Sequence, residues 1–150
     1  MQTRIIPSSE LIINDDGSVF HLHLRPEQIA DTVILVGDPA RVATVSAMFD
    51  SVECRASNRE FNTVTGSYRG KRMSVLSTGI GIGNIDICVT ELDALANVDF
   101  ATRTVKERKR RLNLVRLGTS GALQPDIAVG EVVYSATSVG FDGLLNFYEG

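Results

Sequence analysis

The sequence predicts an α/β fold in which a mixed, largely parallel, twisted sheet is flanked by helices. Short runs of β-branched and other apolar residues, typical of strands buried on both faces, alternate with segments of helical periodicity. Glycine turns follow three of these runs, at Gly37, Gly79 and Gly118. Because the carboxyl ends of parallel strands meet at one edge of a sheet, these turns are expected to form a ligand site there.

Residues 1–20 are expected to form an irregular lead-in, and the first strand and helix follow it. Thr32–Val36 is a continuous apolar run, which predicts a buried strand. Asp38 can cap the helix that comes next, and Pro39 suits its first position. The apolar residues of this helix fall on one face: Val42, Val45 and Phe49.

The middle and the end of the chain supply the remaining elements. Phe61–Tyr68 and Arg72–Ser77 are predicted to form a hairpin around Arg69-Gly70-Lys71. A helix is predicted over Asn84–Ala96, where apolar residues recur at helical spacing. Two further strands are expected at Leu112–Leu117 and Glu131–Val139.

The composition is that of an ordinary globular domain. The 150 residues carry 15 Lys and Arg against 18 Asp and Glu, and 43% are hydrophobic, which excludes a chain disordered by composition. The net charge of −3 disfavours a general nucleic-acid binder. No apolar run approaches the roughly 18 residues of a membrane span, and the N-terminus lacks a signal-peptide pattern, so a cytoplasmic protein is expected. Cys54 and Cys88 are expected to be reduced thiols.

One stretch departs from this composition. Arg103–Arg111 holds six basic residues and one acidic residue. Two interpretations remain open, a patch for nucleic acid or a partner, and a solvated helix end or loop. The second is favoured, because a run of charge is usually a solvated surface.

Two arginines and two strand-end turns form a candidate anion site. Gly37 lets a ligand approach the backbone closely, and the helix start after it offers free N–H groups. Arg41 lies one turn into that helix, and Arg116 lies in an apolar strand, where a buried guanidinium needs a carboxylate or a ligand. Thr119 and Ser120 follow that strand with hydroxyls suited to phosphate or sugar oxygens. An ordinary turn at Gly37 and a structural ion pair at Arg116 stay open as alternatives.

Two other motifs are weaker. Gly79–Gly83 does not match the dinucleotide fingerprint, since Asn84 stands where its third glycine should be. His21 and His23 share a face if they lie on a strand, but two histidines without an acidic or cysteine ligand nearby make a weak metal site. A polar contact or a packed histidine is the favoured interpretation of each.

Five short segments, taken together, resemble the uridine phosphorylase-like nucleoside phosphorylases in order and in spacing. The resemblance begins near residue 18 and continues to the end of the chain. Its last segment carries Gly-Thr-Ser-Gly and is closer to the uridine phosphorylases than to the hexameric purine nucleoside phosphorylases, whose turn usually carries Ser-Cys-Gly. The five segments are Phe20–Leu24, Gly37–Arg41, Asn58–Phe61, Ser77–Gly81 and Val115–Pro125.

The resemblance implies phosphorolysis. Inorganic phosphate attacks the anomeric carbon of uridine or a related nucleoside, which gives ribose 1-phosphate and the free base. Phosphate contacts are implied for Gly37, Arg41, Arg59, Arg116 and Thr119, with Arg59 reaching the site of a neighbouring subunit. Phosphate is then a co-substrate, and no cofactor is expected.

Nucleoside contacts are implied for His21, Thr119, Ser120 and Gly121. His21 would come from the neighbouring subunit and contact the ribose 5′-hydroxyl. The expected partners are therefore the two small molecules and further copies of the chain, as a homodimer unit or a trimer of dimers. Neither a nucleic acid nor a membrane is expected.

In some members of the family a monovalent cation is held at the subunit contact. The matching residues are Glu60, Ile80 and Asn84. Asn84 departs from the family pattern, which usually has serine there, so the cation site is the least supported part of the resemblance. His23 also departs from it, because glycine is common at that position.

Members of the family continue beyond the equivalent of Gly150, and their later half supplies the catalytic and base-reading groups. Residues 21–150 are therefore expected to be the N-terminal part of one α/β domain. The 150 residues alone are expected to self-associate and to be inactive. Two alternatives stay open, a purine nucleoside phosphorylase and a non-catalytic fragment that binds phosphate or nucleoside.

Overall fold

The computed structural model describes residues 4–148, which form two compact units. The first unit ends at Leu117 and contains both α-helices and every strand of the described residues. The second begins at Gly118, and its regular structure within residues 118–148 is one 3₁₀ turn at Leu144–Phe147. No helix in the described residues is long and apolar enough to cross a membrane.

The first unit is built on a five-stranded mixed sheet, whose strands in chain order are β1 (Thr32–Val36), β2 (Ser51–Asn58), β3 (Phe61–Tyr68), β4 (Lys71–Ser77) and β7 (Asn113–Leu117). Their order across the sheet is β2-β3-β4-β1-β7. Strands β2, β3 and β4 pair antiparallel, whereas β1 runs parallel to β4 on one side and to β7 on the other. The parallel half of the sheet is therefore confined to β4, β1 and β7.

Helix α1 (Pro39–Ser46) begins as the sequence predicts. Asp38 Oδ1 accepts a hydrogen bond of 2.9 Å from the Ala40 backbone N–H, which satisfies one of the free donors at the helix start. Val42 then packs with β-strand residues in a small core on one face of the sheet. The members of that core are Val36, Val42, Val64 and Val75.

Helix α2 (Ile82–Asn97) covers the opposite face and extends the predicted range by a few residues. Cys88, Leu92 and Leu95 recur at helical spacing and are buried in the larger core. Strand residues on the other side of the pleat join them there, among them Leu35 and Phe61. The lead-in contributes to the same core, and it is irregular, as predicted: within residues 4–20 it holds turns and single bridges but no strand of two or more residues.

The predicted hairpin is confirmed, with β3 and β4 joined at Arg69 and Gly70. Both turn residues have positive φ, 50° and 74°, which matches the twist of the flanking strands. Strand β2 was not predicted from the sequence. It is an edge strand, largely exposed, with a bulge between Val52 and Cys54. Its apolar residues Val52, Cys54 and Ala56 alternate with polar ones, and Cys54 and Ala56 are half-buried, so the alternation typical of a half-buried strand is present in the sequence.

The basic run contains one strand of a short antiparallel pair, β5 (Val98–Asp99) and β6 (Thr104–Val105), and is otherwise a loop. The favoured interpretation of a solvated loop holds for half of its basic side chains, which are exposed. Three of its six basic side chains are half-buried and donate to backbone carbonyl oxygens of the lead-in, of α2 and of the segment before β1. They are Arg103, Lys106 and Arg110. These three residues therefore cross-link the first unit, while the other basic side chains of the run are exposed.

The strand expected at Glu131–Val139 is wrong. This stretch is irregular in the structure, and Val132 and Tyr134 are 94% and 93% exposed. A strand requires a neighbour for its backbone hydrogen bonds, and no other segment of residues 4–148 pairs with this one. Its β-branched and aromatic residues favour a strand, but a strand also needs a neighbouring strand to pair with.

Candidate functional site

Two of the three predicted glycine turns, at Gly37 and Gly79, lie side by side at the carboxyl edge of the parallel strands, whereas Gly118 begins the second unit. Gly37 follows β1 and Gly79 lies two residues after β4. A Cβ atom added at Gly37 would lie 3.7 Å from the carbonyl oxygen of Gly79 and 3.6 Å from Nη2 of Arg116. The backbone of Gly37 is therefore flanked by a guanidinium and left open by the lack of a side chain, which suits a small anion.

Arg41 and Arg116 converge at the same point of this edge. Nη1 of Arg41 lies 3.4 Å from the carbonyl oxygen of Leu117, and Nη1 of Arg116 lies 3.3 Å from that oxygen. Neither arginine takes part in a salt bridge within residues 4–148. Two guanidinium groups beside an open backbone and a helix start give this edge a local positive charge, which favours binding of a phosphate-like anion.

The predicted burial of Arg116 is wrong. All five residues of β7 are exposed, and Leu114, Val115 and Leu117 are 40–47% accessible. The strand is the edge of the sheet beside β1, so only one of its sides is paired. Because the guanidinium is solvated, it needs no carboxylate to compensate for burial. The alternative that Arg116 forms a structural ion pair is wrong for the described residues, where it has no acidic partner within salt-bridge distance.

The residues expected to hold a cation surround Gly79. A Cβ atom added there would lie 2.7 Å from Nδ2 of Asn84 and 2.9 Å from Cγ of Glu60. Gly79 also has a φ of +67°, so both its conformation and its surroundings require glycine. Ile80 is 94% exposed beside them. The site is one carboxylate and one amide, and no group of three or more metal-ligating side chains of the His, Cys, Asp and Glu types occurs in the described residues.

Arg59 lies at the tip of the turn between β2 and β3. Its side chain is exposed, and its φ of 53° is left-handed, a conformation that costs a residue with a side chain roughly 1–2 kcal/mol. Asn58, just before it, donates from Nδ2 to the carbonyl oxygens of Phe20 and His21 at 3.2 and 2.9 Å. The turn that carries Arg59 is thus tied to the segment that carries His21.

His21 is held by a residue that the sequence analysis did not single out. Glu91 of α2 accepts hydrogen bonds from the backbone N–H groups of His21 and Leu22 and contacts Nδ1 of the His21 ring at 2.7 Å. The available signal was an acidic residue on the buried stripe of a helix. Glu91 lies three residues after Cys88 and directly before Leu92, both of them buried.

Neither histidine lies on a strand, so the condition under which the two would share a face is not met. Both lie in the irregular segment after Val19, and His23 has a φ of 52°. His23 Nε2 is 3.3 Å from Asp16, whereas His21 contacts Glu91. Hydrogen bonds from the Ser18 hydroxyl and backbone, together with the nearby charges, lower the pKa of Asp16. Each histidine therefore has a separate acidic partner, as the favoured interpretation of a polar contact requires.

The two cysteines are free thiols, as expected. Cys54 is half-buried in β2, and Cys88 is fully buried in α2. Burial, and to a lesser degree the charge of Glu91, raise the pKa of Cys88 to about 12. Cys88 is therefore a packing residue and not a nucleophile at neutral pH.

We expect Cys88 to make the folded chain less stable at alkaline pH. The unfolded thiol ionises near its ordinary pKa of 9.0, whereas the folded one keeps its proton up to about pH 12. The contribution of the protonated thiol to the free energy of unfolding is fully present below about pH 9 and decreases as the pH rises from 9 towards 12. At pH 10 the free energy of unfolding should be lower by about 1.4 kcal/mol. Urea unfolding at pH 8 and pH 10 measures this loss. Cys54→Ala should keep it, and an equal loss in Cys88→Ala would contradict the assignment.

Thr119, Ser120 and Gly121 lie in the second unit. All three are exposed, and they are irregular in backbone structure. Their contribution to phosphate or nucleoside binding stays a prediction.

Comparisons with known proteins identify the family of the chain. A family model described as the phosphorylase superfamily matches residues 31–150. The chain belongs to the phosphorylase superfamily. It is 33% identical to a uridine phosphorylase of Thermococcus kodakarensis, over 94% of this chain and 46% of that protein. It is 36% identical to a purine nucleoside phosphorylase of Bacillus subtilis, over 79% of this chain and 46% of that protein.

The fold prediction is confirmed by a solved structure. A Trypanosoma brucei nucleoside phosphorylase, described as showing uridine phosphorylase activity, superposes with a TM-score of 0.72 at 33% identity. The match covers 79% of this chain and 41% of that one. The chain thus has the mixed-sheet fold of the superfamily and spans about half the length of the relatives it matches.

Proposed function

We propose that this superfamily member takes part in the phosphorolysis of uridine or a closely related nucleoside, as the phosphate-binding part of a pentosyltransferase. The observation that carries the proposal is the convergence of Arg41 and Arg116 beside Gly37. The names of the relatives supply the reaction class, because both the uridine and the purine enzymes are phosphorylases.

The chemistry needs a fixed phosphate more than it needs a carboxylate pair. Glycosyl transfer passes through a state that resembles an oxocarbenium ion, so the sugar becomes positively charged as its bond to the base breaks. A phosphate held by Arg41, Arg116 and the Gly37 backbone is both the nucleophile and the opposite charge. Because these groups are in place before reaction, little reorganisation remains at the barrier. Thr119 would add a hydroxyl to this set.

The proposed active unit is at least a homodimer in which each site is completed by the neighbouring copy. Arg59 would contact the phosphate, and His21 the ribose 5′-hydroxyl, of that neighbour. Ser120 and Gly121 would face the nucleoside on their own subunit. Support comes from Arg59, which is exposed at a hairpin tip and strained in backbone. A trimer of such dimers is part of the same proposal, and so is a monovalent cation between Glu60 and Asn84.

A purine nucleoside phosphorylase is the second candidate. The 36% identity to the Bacillus subtilis enzyme favours it. The candidate phosphate site formed by Gly37, Arg41 and Arg116 suits both reactions equally. The Gly-Thr-Ser-Gly turn at 118–121 favours the uridine type. A reducing cytoplasm suits either candidate, since Cys54 and Cys88 are free thiols.

The test uses a chimera in which residues 1–150 replace the aligned region of the Thermococcus kodakarensis relative. We expect release of uracil from uridine that requires added phosphate. Because the later half of the relative is expected to supply the base-reading groups, the second candidate is tested by a matched chimera with the later half of the Bacillus subtilis relative. Phosphate-dependent cleavage of inosine by that chimera, with little cleavage of uridine by the first, would favour the second candidate. A folded chimera that releases no base from any of these nucleosides with phosphate present would contradict the proposal, and cleavage without phosphate would indicate a hydrolase.

A further inference from the structure

Glu91 is a buried carboxylate with three donors converging on it. Only 7% of the residue is exposed. Oε2 accepts from the Leu22 backbone N–H at 2.8 Å, and the His21 backbone N–H lies 3.0 and 3.1 Å from the two oxygens. Oε1 is 2.7 Å from Nδ1 of the His21 ring. Burying a carboxylate is unfavourable unless hydrogen bonds compensate for the hydration that it loses. Two of the three donors that compensate Glu91 belong to His21, so the carboxylate and this residue are held together.

The contact with Glu91 determines which nitrogen of the ring carries the proton. A carboxylate only accepts hydrogen bonds, so Nδ1 at 2.7 Å must be the donor. In the neutral ring Nε2 is then an acceptor with its lone pair free. This is the arrangement that fixes histidine tautomers in metal sites, where a carboxylate behind the ring orients the nitrogen in front of it.

The direction of the ring is fixed as well as its proton. Phe20 and Phe61 flank it edge-on, with centroids 4.9 and 6.4 Å away. Asn58 holds the carbonyl oxygens of Phe20 and His21, so the backbone is anchored on the acceptor side as well as the donor side. The ring and Glu91 both line a cleft of about 250 Å³ between the lead-in and α2. His21 is therefore only partly exposed, at 27% of its side chain.

We propose that Glu91 is a positioning residue, which holds the Nδ1–H tautomer of His21 so that Nε2 accepts a hydrogen bond from a substrate hydroxyl. This inference rests on the proposed function, in which His21 meets the ribose 5′-hydroxyl of a neighbouring site. It adds that the site is built for nucleosides with a free 5′-hydroxyl, and that this preference depends on a carboxylate that never touches the substrate.

The first test reads the ring directly in the 150-residue chain. Nitrogen NMR at a pH where the ring is neutral should show His21 with a protonated Nδ1 and an unprotonated Nε2. Solid-state spectra report the same shifts if the chain self-associates. Glu91→Gln should shift the His21 signals toward the other tautomer or a mixture. The control is Glu53→Gln, which removes an exposed carboxylate that accepts a hydrogen bond of 2.7 Å from Nε of Arg72. This variant should leave the His21 signals unchanged. Unchanged His21 signals in Glu91→Gln would overturn the proposal.

The second test separates positioning from a general loss of structure. In the chimera, Glu91→Gln should lower kcat/KM for uridine by on the order of 10-fold, the effect of weakening one hydrogen bond to a charged group. With 5′-deoxyuridine, which lacks the hydroxyl, kcat/KM should change by less than about 2-fold, since nothing remains for Nε2 to accept. Equal losses on both substrates would overturn the proposal. An inactive parent chimera would count against the proposed function alone, and the NMR result would still decide the role of Glu91.

Discussion

Replacing Arg116 by alanine in the chimera is expected to lower kcat by about 10²- to 10³-fold and to raise the KM for phosphate, because the anion is bound more weakly. Its guanidinium lies beside Gly37 and shares the Leu117 carbonyl with Arg41, so its replacement removes one of the two guanidinium groups that the chain itself places beside the anion. The expected size is that of losing one preorganised donor to a developing charge, about 2.7–4 kcal/mol.

The matched control is Arg108→Ala, which removes an exposed arginine of the basic run and should leave the rate unchanged. Since Arg116 is itself exposed on the edge strand, its replacement should not unfold the first unit. A rate loss can therefore be attributed to binding once the unfolding curves of the variant and the parent coincide. An Arg116→Ala chimera with the same phosphate dependence as its parent would exclude Arg116 from the phosphate site.

The parts of the fold that could be predicted are those with local signals. The Asp38 cap of α1 and the Arg69-Gly70 turn are set by residues within a few positions of each other. Strand β2 was missed because its alternating apolar residues, Val52, Cys54 and Ala56, are few and mostly small, and the strand is a bulged edge that is held by pairing with β3. Glu131–Val139 was over-predicted for the converse reason, since it has the pattern of a strand but pairs with no other described segment.

The same distinction holds for the candidate site. Gly37 and Arg41 are close in sequence, and both follow strand β1. Arg116 lies near the end of β7, which pairs parallel with β1, so the carboxyl ends of the two strands lie side by side. The proximity of Arg41 to Arg116 therefore follows from the rule that parallel strands end at one edge of a sheet. The exposure of Arg116 could not be predicted, because it depends on which strand forms the edge of the sheet. The contact between His21 and Glu91 joins residues 70 positions apart, and only the packing of α2 under the lead-in reveals it.

Mixing two inactive chimeras is expected to restore activity if Arg59 and Arg116 act on one site from different subunits. One chimera carries Arg116→Ala. The other carries Arg59→Asn, chosen because asparagine tolerates the left-handed φ of 53° at that position better than alanine does. In a mixed dimer, the Arg59→Asn copy supplies an intact Arg116 and its partner supplies an intact Arg59, so one of the two sites is complete.

Random exchange of subunits makes about half of the dimers mixed, so about a quarter of all sites, and of the parent activity, should return. The control mixes Arg116→Ala with the Arg59→Asn, Arg116→Ala double variant, in which no combination assembles a complete site. If both arginines act within one subunit, mixed dimers contain no complete site and activity stays at the level of the separate variants. Mixed dimers shown to form, for instance by two affinity tags, but without regained activity would exclude the shared site.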